Sequence, residues 1–75
     1  ARLMDPLARA VEAALFASEE PLAPEALAEA LGGAARGDVA AALASLRSDY
    51  AERGVHLVER GGRWHFETAP DLAHL

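Results

Sequence analysis

The side chains able to do chemistry gather towards one end of this 75-residue chain. His56, His65 and Glu67 are metal-ligand types, and they share one face if VHLVER and RWHFET are strands joined through Gly61-Gly62. Three exposed ligands without a second layer of orienting groups more often make a polar sheet face, so no metal is expected. In the same stretch, RGGRWHFET from Arg60 to Thr68, two arginines, two glycines and two aromatics suggest a wing that grips DNA. A structural wing explains them as well: Arg60 and Arg63 flank the turn in solvent, Glu59 and Glu67 lie near enough to offset them, and Trp64 and Phe66 anchor the hairpin. No serine sits in a nucleophile motif, and neither a phosphate loop nor an isolated carboxylate pair is present. No catalytic residue, cofactor or enzymatic activity is expected.

The elements that must position these residues follow from period and punctuation. Asp5-Pro6 is an N-cap followed by proline in the first helical position, and Leu7, Val11, Ala14 and Leu15 then share one helical face. SEEPLA interrupts the pattern. Pro24 opens a short second helix with Leu27, Ala28 and Leu31 on one face, closed by Gly32. GGAARGD is the next turn, and the spacing predicts a third helix from about Asp38 to Arg53, with Val39, Leu43, Leu46 and Tyr50 as its stripe and Gly54 as its stop. After Gly54 the period falls to 2. A primed turn at Gly61-Gly62 sets Arg60 opposite Arg63, Glu59 opposite Trp64, Val58 opposite His65, Leu57 opposite Phe66 and Val55 opposite Thr68. Val55, Leu57, Trp64 and Phe66 then face the helices, and APDLAHL leaves the sheet at Pro70. The predicted core anchors are Leu15, Leu27, Leu31, Leu43, Leu46, Tyr50, Leu57, Trp64 and Phe66. Three helices, a tight turn between the second and third, and a two-stranded hairpin give an α+β winged helix-turn-helix, a single domain over residues 1–75.

Composition bounds the function. The chain is 52% hydrophobic, but 19 of its residues are alanine and four are aromatic, so the core is expected to rest on a few Leu, Val and aromatic positions. A domain this small buries only about 60 to 65% of its unfolded surface, and a partner or self-association would help it. Cysteine is absent, which excludes disulfides and thiolate metal sites. No apolar run approaches the roughly 20 residues of a membrane span, and a cytoplasmic protein without membrane contacts is expected. Seven arginines without lysine, and no Asn, Gln or Ile, suggest a GC-rich genome. Met4 is a candidate natural start, with residues 1 to 3 as a remnant ahead of it.

The net charge of −5 and pI near 5.0 give no general pull towards nucleic acid. Base reading would need Arg, Lys, Asn or Gln on the outer face of the third helix. That face offers Ala41, Ala44, Ser45, Ser48 and Glu52, with Arg47 on the flank and Arg53 at the far end. It reads as solvated or covered by a protein partner. A DNA-binding regulator, the alternative, would show tight duplex binding that weakens steeply with salt.

Phe16 falls on the side of the first helix away from Leu7, and it has two readings. In one, the helix ends there and the ring folds under the EEPL loop against Leu22. In the other, the ring is an exposed anchor for a second subunit beside Ala10, Ala13 and Ala17, small residues that permit close helix approach. The strand edge of the hairpin is a second candidate surface, open to strand addition.

Glu12-Ala13 with Leu15-Phe16, Glu20-Pro21-Leu22, Leu27 to Gly32, then Leu43, Leu46, Tyr50, Arg53-Gly54, Gly61-Gly62, Trp64 and Thr68 before Pro70 follow one another in an order that resembles the N-terminal half of the segregation and condensation protein B (ScpB) family. The resemblance spans nearly the whole chain. It implies the first of two tandem winged-helix domains in a longer protein, associated with homodimerisation and lacking enzymatic activity. It also implies a place in the bacterial condensin-like complex, where ScpB dimers bind the central segment of the kleisin ScpA, which bridges an SMC ATPase, so that the protein is nucleoid-associated. Two departures affect capping: Ala23 stands where the family often has serine or threonine, and AARG replaces a polar cap before the third helix. Each costs about 0.5 to 2 kcal/mol by the usual value of an N-cap, leaving Pro24 and Gly37 to fix those helix starts.

Overall fold

The computed structural model describes residues 5–75, and the candidate start at Met4 lies outside the described residues. Three helices, α1 (Pro6–Ala17), α2 (Pro24–Ala30) and α3 (Arg36–Asp49), precede strands β1 (Val55–Arg60) and β2 (Arg63–Thr68) and a 3₁₀ turn at Pro70–Leu72. This is the winged helix-turn-helix order, with the antiparallel β1–β2 hairpin as its wing.

Local chemistry accounts for most of the boundaries. The Asp5 carboxylate accepts the Ala8 N–H at 3.3 Å and Pro6 occupies the first turn of α1. Ala23 and Ala35 precede α2 and α3 without any side-chain cap, the expected consequence of the two departures. Gly32 and Gly33 both take positive φ, 77° and 81°, which lets the Gly33 and Ala34 N–H groups reach back to the Ala28 carbonyl and close α2 within one turn.

The third helix differs from its expected span. It begins at Arg36 rather than Asp38, with the Asp38 and Val39 N–H groups bonded to the Ala35 carbonyl, so Gly37 lies inside the first turn and does not set the start. It ends at Asp49 rather than Arg53. Beyond Tyr50 the bonds tighten to the three-residue kind, Ala51 to Ser48 and Arg53 to Tyr50, as the chain bends into β1. Gly54 is accordingly not the helix stop; its carbonyl accepts the Ala69 N–H at 2.8 Å and ties the base of the hairpin to the chain leaving it.

The hairpin register is the expected one throughout, from Val55 opposite Thr68 to Arg60 opposite Arg63, turning on Gly61 and Gly62 at φ 60° and 81°. Glu59 accepts the Gly62 N–H at 2.7 Å, so its carboxylate secures the turn rather than offsetting an arginine. Leu22 adds a two-bond bridge to the outer edge of β2, exchanging N–H···O bonds with Trp64 at 2.8 and 2.9 Å.

The interior is small and aliphatic. Val11, Leu27, Val39, Leu43 and Leu46 are fully enclosed, with Leu15 and Leu57 almost so. Alanine contributes more than composition suggested: Ala8, Ala28, Ala42 and Ala69 are all buried. The buried line of α1 is therefore Ala8, Val11 and Leu15, while Leu7 and Ala14 stand half-buried beside it. Of the predicted anchors, Leu31, Tyr50, Trp64 and Phe66 pack against this core from its rim instead of filling it. Leu27→Ala is expected to cost about 2–5 kcal/mol in a urea titration, because α2 is too short and uncapped to stand without that side chain. A loss below about 1 kcal/mol would mean that α2 is held by other contacts.

Candidate functional site

The rim aromatics form a connected row where the end of α1 meets the wing. Phe16 stacks on Phe66 with ring centroids 4.7 Å apart and planes at 26°, and Phe66 in turn meets Tyr50 at 4.9 Å, tilted by 55°. Tyr50 donates its hydroxyl to the Glu12 carboxylate, closing a bracket between α1, the end of α3 and β2. That hydrogen bond to a charged acceptor, with some burial, raises the Tyr50 pKa above its ordinary value.

Phe16 does not fold under the loop against Leu22. It is 62% exposed although it stacks on one face, so its other face and edge look into solvent. Ala13 and Ala17 are exposed beside it, and Ala10 is half-buried one turn further back. α1 thus offers an outer strip of small residues ending in an aromatic ring. Next to the ring lies a groove of about 400 Å³ bordered by Phe16, Pro21, Val55, Phe66 and Thr68, with Glu19 at its margin. Among large side chains of the described residues, Leu75 is the one other highly exposed apolar group, and it stands at the end of the chain.

Four of the basic residues have neighbours within the domain, Arg36 with Glu25 and Arg60 with Glu67 as ion pairs and Arg47 and Arg53 against aromatic rings, while Arg9 and Arg63 are exposed. Arg47 lies over the Trp64 ring at 4.6 Å and Arg53 over Tyr50 at 5.1 Å, so one cation near the end of α3 and one just beyond it rest on aromatic rings of the rim. The outward face of α3 carries exposed Ala41, Ala44, Ser45 and Ser48, which supply no bidentate base-reading group.

On the far face of the hairpin, His65 and Glu67 come together but not as a metal site. Glu67 accepts two bonds from the Arg60 guanidinium, at 3.0 and 2.9 Å, and approaches His65 Nε2 at 2.6 Å, while His65 Nδ1 is buried without a partner. Among the described residues no group of three or more His, Cys, Asp or Glu is arranged to hold a metal ion, and no helix is long and apolar enough to cross a membrane. The sequence did not reveal Phe66 as the support of Phe16 or Glu12 as the partner of Tyr50. A hint lay in the spacing: Glu12 and Phe16 are four residues apart on one side of α1, next to the hairpin aromatics once the helix packs.

Comparisons with known proteins agree with this geometry. Residues 9–75 match the family model described as segregation and condensation complex subunit ScpB. The chain is similar to the segregation and condensation protein B homolog of Coxiella burnetii, at 39% identity over 66 residues that take in 84% of this chain and 32% of that protein. It superposes on the crystal structure of ScpB from Mycobacterium tuberculosis with a TM-score of 0.84 and 30% identity, over 99% of this chain and 48% of the other. It also superposes on a crystal structure described as the dimer of a ScpB N-terminal domain complexed with ScpA peptide, with a TM-score of 0.82 and 32% identity, over 95% of this chain and 84% of the other. The chain belongs to the ScpB family, as its ordered motifs implied, and it spans about a third of the Coxiella protein and about half of the Mycobacterium one.

The wing's ion pairing makes its own prediction. Hydrogen bonds from Arg60 first, then His65, hold the Glu67 carboxyl well below the ordinary 4.5, at about 2. A carboxyl depressed in the folded state stabilises the fold above its unfolded pKa, so this contribution is complete above about pH 4.5 and is lost as the pH falls through about 2. A carboxyl-detected NMR titration is expected to find the Glu67 midpoint near 2 and to see it rise towards 4.5 in Arg60→Ala. A wild-type midpoint near 4.5 would show that the guanidinium does not hold it.

Proposed function

We propose that this member of the ScpB family is a non-enzymatic dimerisation and scaffold domain, the N-terminal half of a longer two-domain protein. It pairs with a second copy and binds the kleisin ScpA, and through ScpA an SMC ATPase, in chromosome condensation and segregation in the cytoplasm at the nucleoid. The observation that carries this reading is Phe16, a 62% exposed ring held rigid by Phe66 at the end of an alanine-faced helix. Support comes from the related N-terminal domain, 32% identical, that crystallised as a dimer with ScpA peptide.

The physics favours a protein partner. Alanines at positions 10, 13 and 17 allow two helices to approach towards the lower end of the usual 8–10 Å axis separation, and an aromatic at the edge of such a contact is the residue type that interfaces use as an anchor. Because Phe66 already fixes the ring, little rotamer freedom is lost on association. Arg47 lies over Trp64, Arg53 over Tyr50, and Arg60 is held by Glu67, so Arg63 is the one wing arginine left without a partner among the described residues, a small footprint for a phosphate backbone.

Sedimentation velocity over a wide concentration range, with and without the central segment of the same organism's ScpA, tests this reading. The expected outcome is a concentration-dependent dimer whose sedimentation shifts further with ScpA. In Phe16→Ser two rings leave the contact, and dimer dissociation should rise on the order of a hundredfold. Its unfolding free energy should drop by about 0.5–1.5 kcal/mol, the worth of a surface aromatic pair, rather than the 3–5 kcal/mol of a core phenylalanine. A wild-type domain that stays monomeric and ignores ScpA would overturn the proposal.

A further inference from the structure

The two edges of the wing are not equivalent. In an antiparallel pair, alternate residues turn their N–H and C=O groups away from the partner strand. On β2 the outward group at Trp64 is identified by its two bonds to Leu22, which occupy that edge at this residue. By the same register Glu59, opposite Trp64, and Leu57, opposite Phe66, turn their N–H and C=O groups out from β1. Among the described residues nothing bonds to these outward groups.

This edge lacks the features that usually protect one. β1 contains no lysine, no proline and no bulge, and its register is continuous over six residues. Its one outward-edge charge, Glu59, is turned back onto the Gly62 N–H. A cleft of about 420 Å³ runs alongside, bordered by Leu57, Val58, Glu59 and Arg60 on the strand and by Arg47 and Ala51 from the end of α3. Arg47 sits over the Trp64 ring and is exposed, so its N–H groups remain available to a carboxylate, and among the described residues no acidic side chain forms an ion pair with it.

From this we propose that the outer edge of β1 receives an extended segment of ScpA by strand addition, with backbone bonds at Leu57 and Glu59. The segment's acidic side chain meets Arg47, and an aliphatic one on the opposite face lies against Val58. This rests on the reading of the domain as an ScpA-binding scaffold. It adds which surface is used and what chemistry the segment must carry. The surface is separate from the Phe16 strip, so ScpA and the second copy do not compete for it.

The test is residue-resolved hydrogen exchange on the full-length protein, with overlapping synthetic peptides from the central segment of the same organism's ScpA as probes. The Leu57 and Glu59 amides should slow by at least about tenfold with the binding peptide, while Phe66 and Thr68 stay unchanged. Glu59→Pro removes the outward N–H at a strand edge where proline is tolerated, and peptide affinity should fall on the order of tenfold. Glu59→Ala, which loses the same carboxylate but keeps the N–H, should stay within about threefold of wild type, and both variants should dimerise as wild type does. A peptide that binds without slowing the Leu57 and Glu59 amides would overturn the edge assignment and leave ScpA binding intact. Failure of every peptide to bind the wild-type protein would overturn ScpA binding and this inference together, while the dimer reading stood on its own sedimentation result.

Discussion

A small interior is the constraint from which the rest of this structure follows. Alanine-rich helices and a two-stranded sheet enclose Val11, Leu27, Val39, Leu43 and Leu46, and no aromatic ring is among the buried side chains of the described residues. Tyr50, Trp64 and Phe66 therefore sit at the rim, where each has one face on the core and another available to a neighbour. That placement fixes the wing. Phe66 is clasped between Phe16 and Tyr50, Trp64 carries Arg47 and the Leu22 bridge, and the hairpin becomes a rigid extension of the helices. The same placement leaves Phe16 on the outside, supported but uncovered.

Much of this was legible in the sequence. Gly61-Gly62 between two alternating runs determined the hairpin register residue by residue, because a side-chain period of 2 allows no intermediate slip once the turn is placed. Asp5-Pro6 and Pro24 marked helix starts through chemistry internal to the segment. What escaped depends on contacts between segments. The end of α3 is set by Tyr50, where the chain turns towards Glu12 and Phe66, and not by the nearest glycine. Buried alanines cannot be told from exposed ones by type, so the inner line of α1 was placed one residue away from Ala8. The rings that hold Arg47 and Arg53 lie 17 positions later and three positions earlier in the chain, and only the fold brings the first pair together.

These side-chain pairings also separate the domain from the DNA-reading use of the same element order. A winged helix that reads bases needs free donors on α3 and free cations on the wing. Here α3 presents alanine and serine, Arg47 near its end and Arg53 beyond it lie over Trp64 and Tyr50, and Arg60 is clamped by Glu67, which leaves Arg63 as the wing's one unpaired arginine among the described residues. Two outward features stand apart from the charged surface: a supported phenylalanine on a strip of alanines and an uncovered strand edge. Both suit protein contacts, in keeping with a family of condensation-complex subunits.

The proposed contact of Phe16 with a second copy of the chain can be tested at that ring itself. Replacing Phe16 with the photoreactive analogue benzoylphenylalanine in the full-length protein keeps an aromatic ring at the end of α1 and reports what touches it in living cells. A light-dependent adduct between two copies of this protein is expected, and its loss when Ala13 is changed to a bulky charged residue. An adduct to DNA, or no adduct while the protein remains folded, would contradict it.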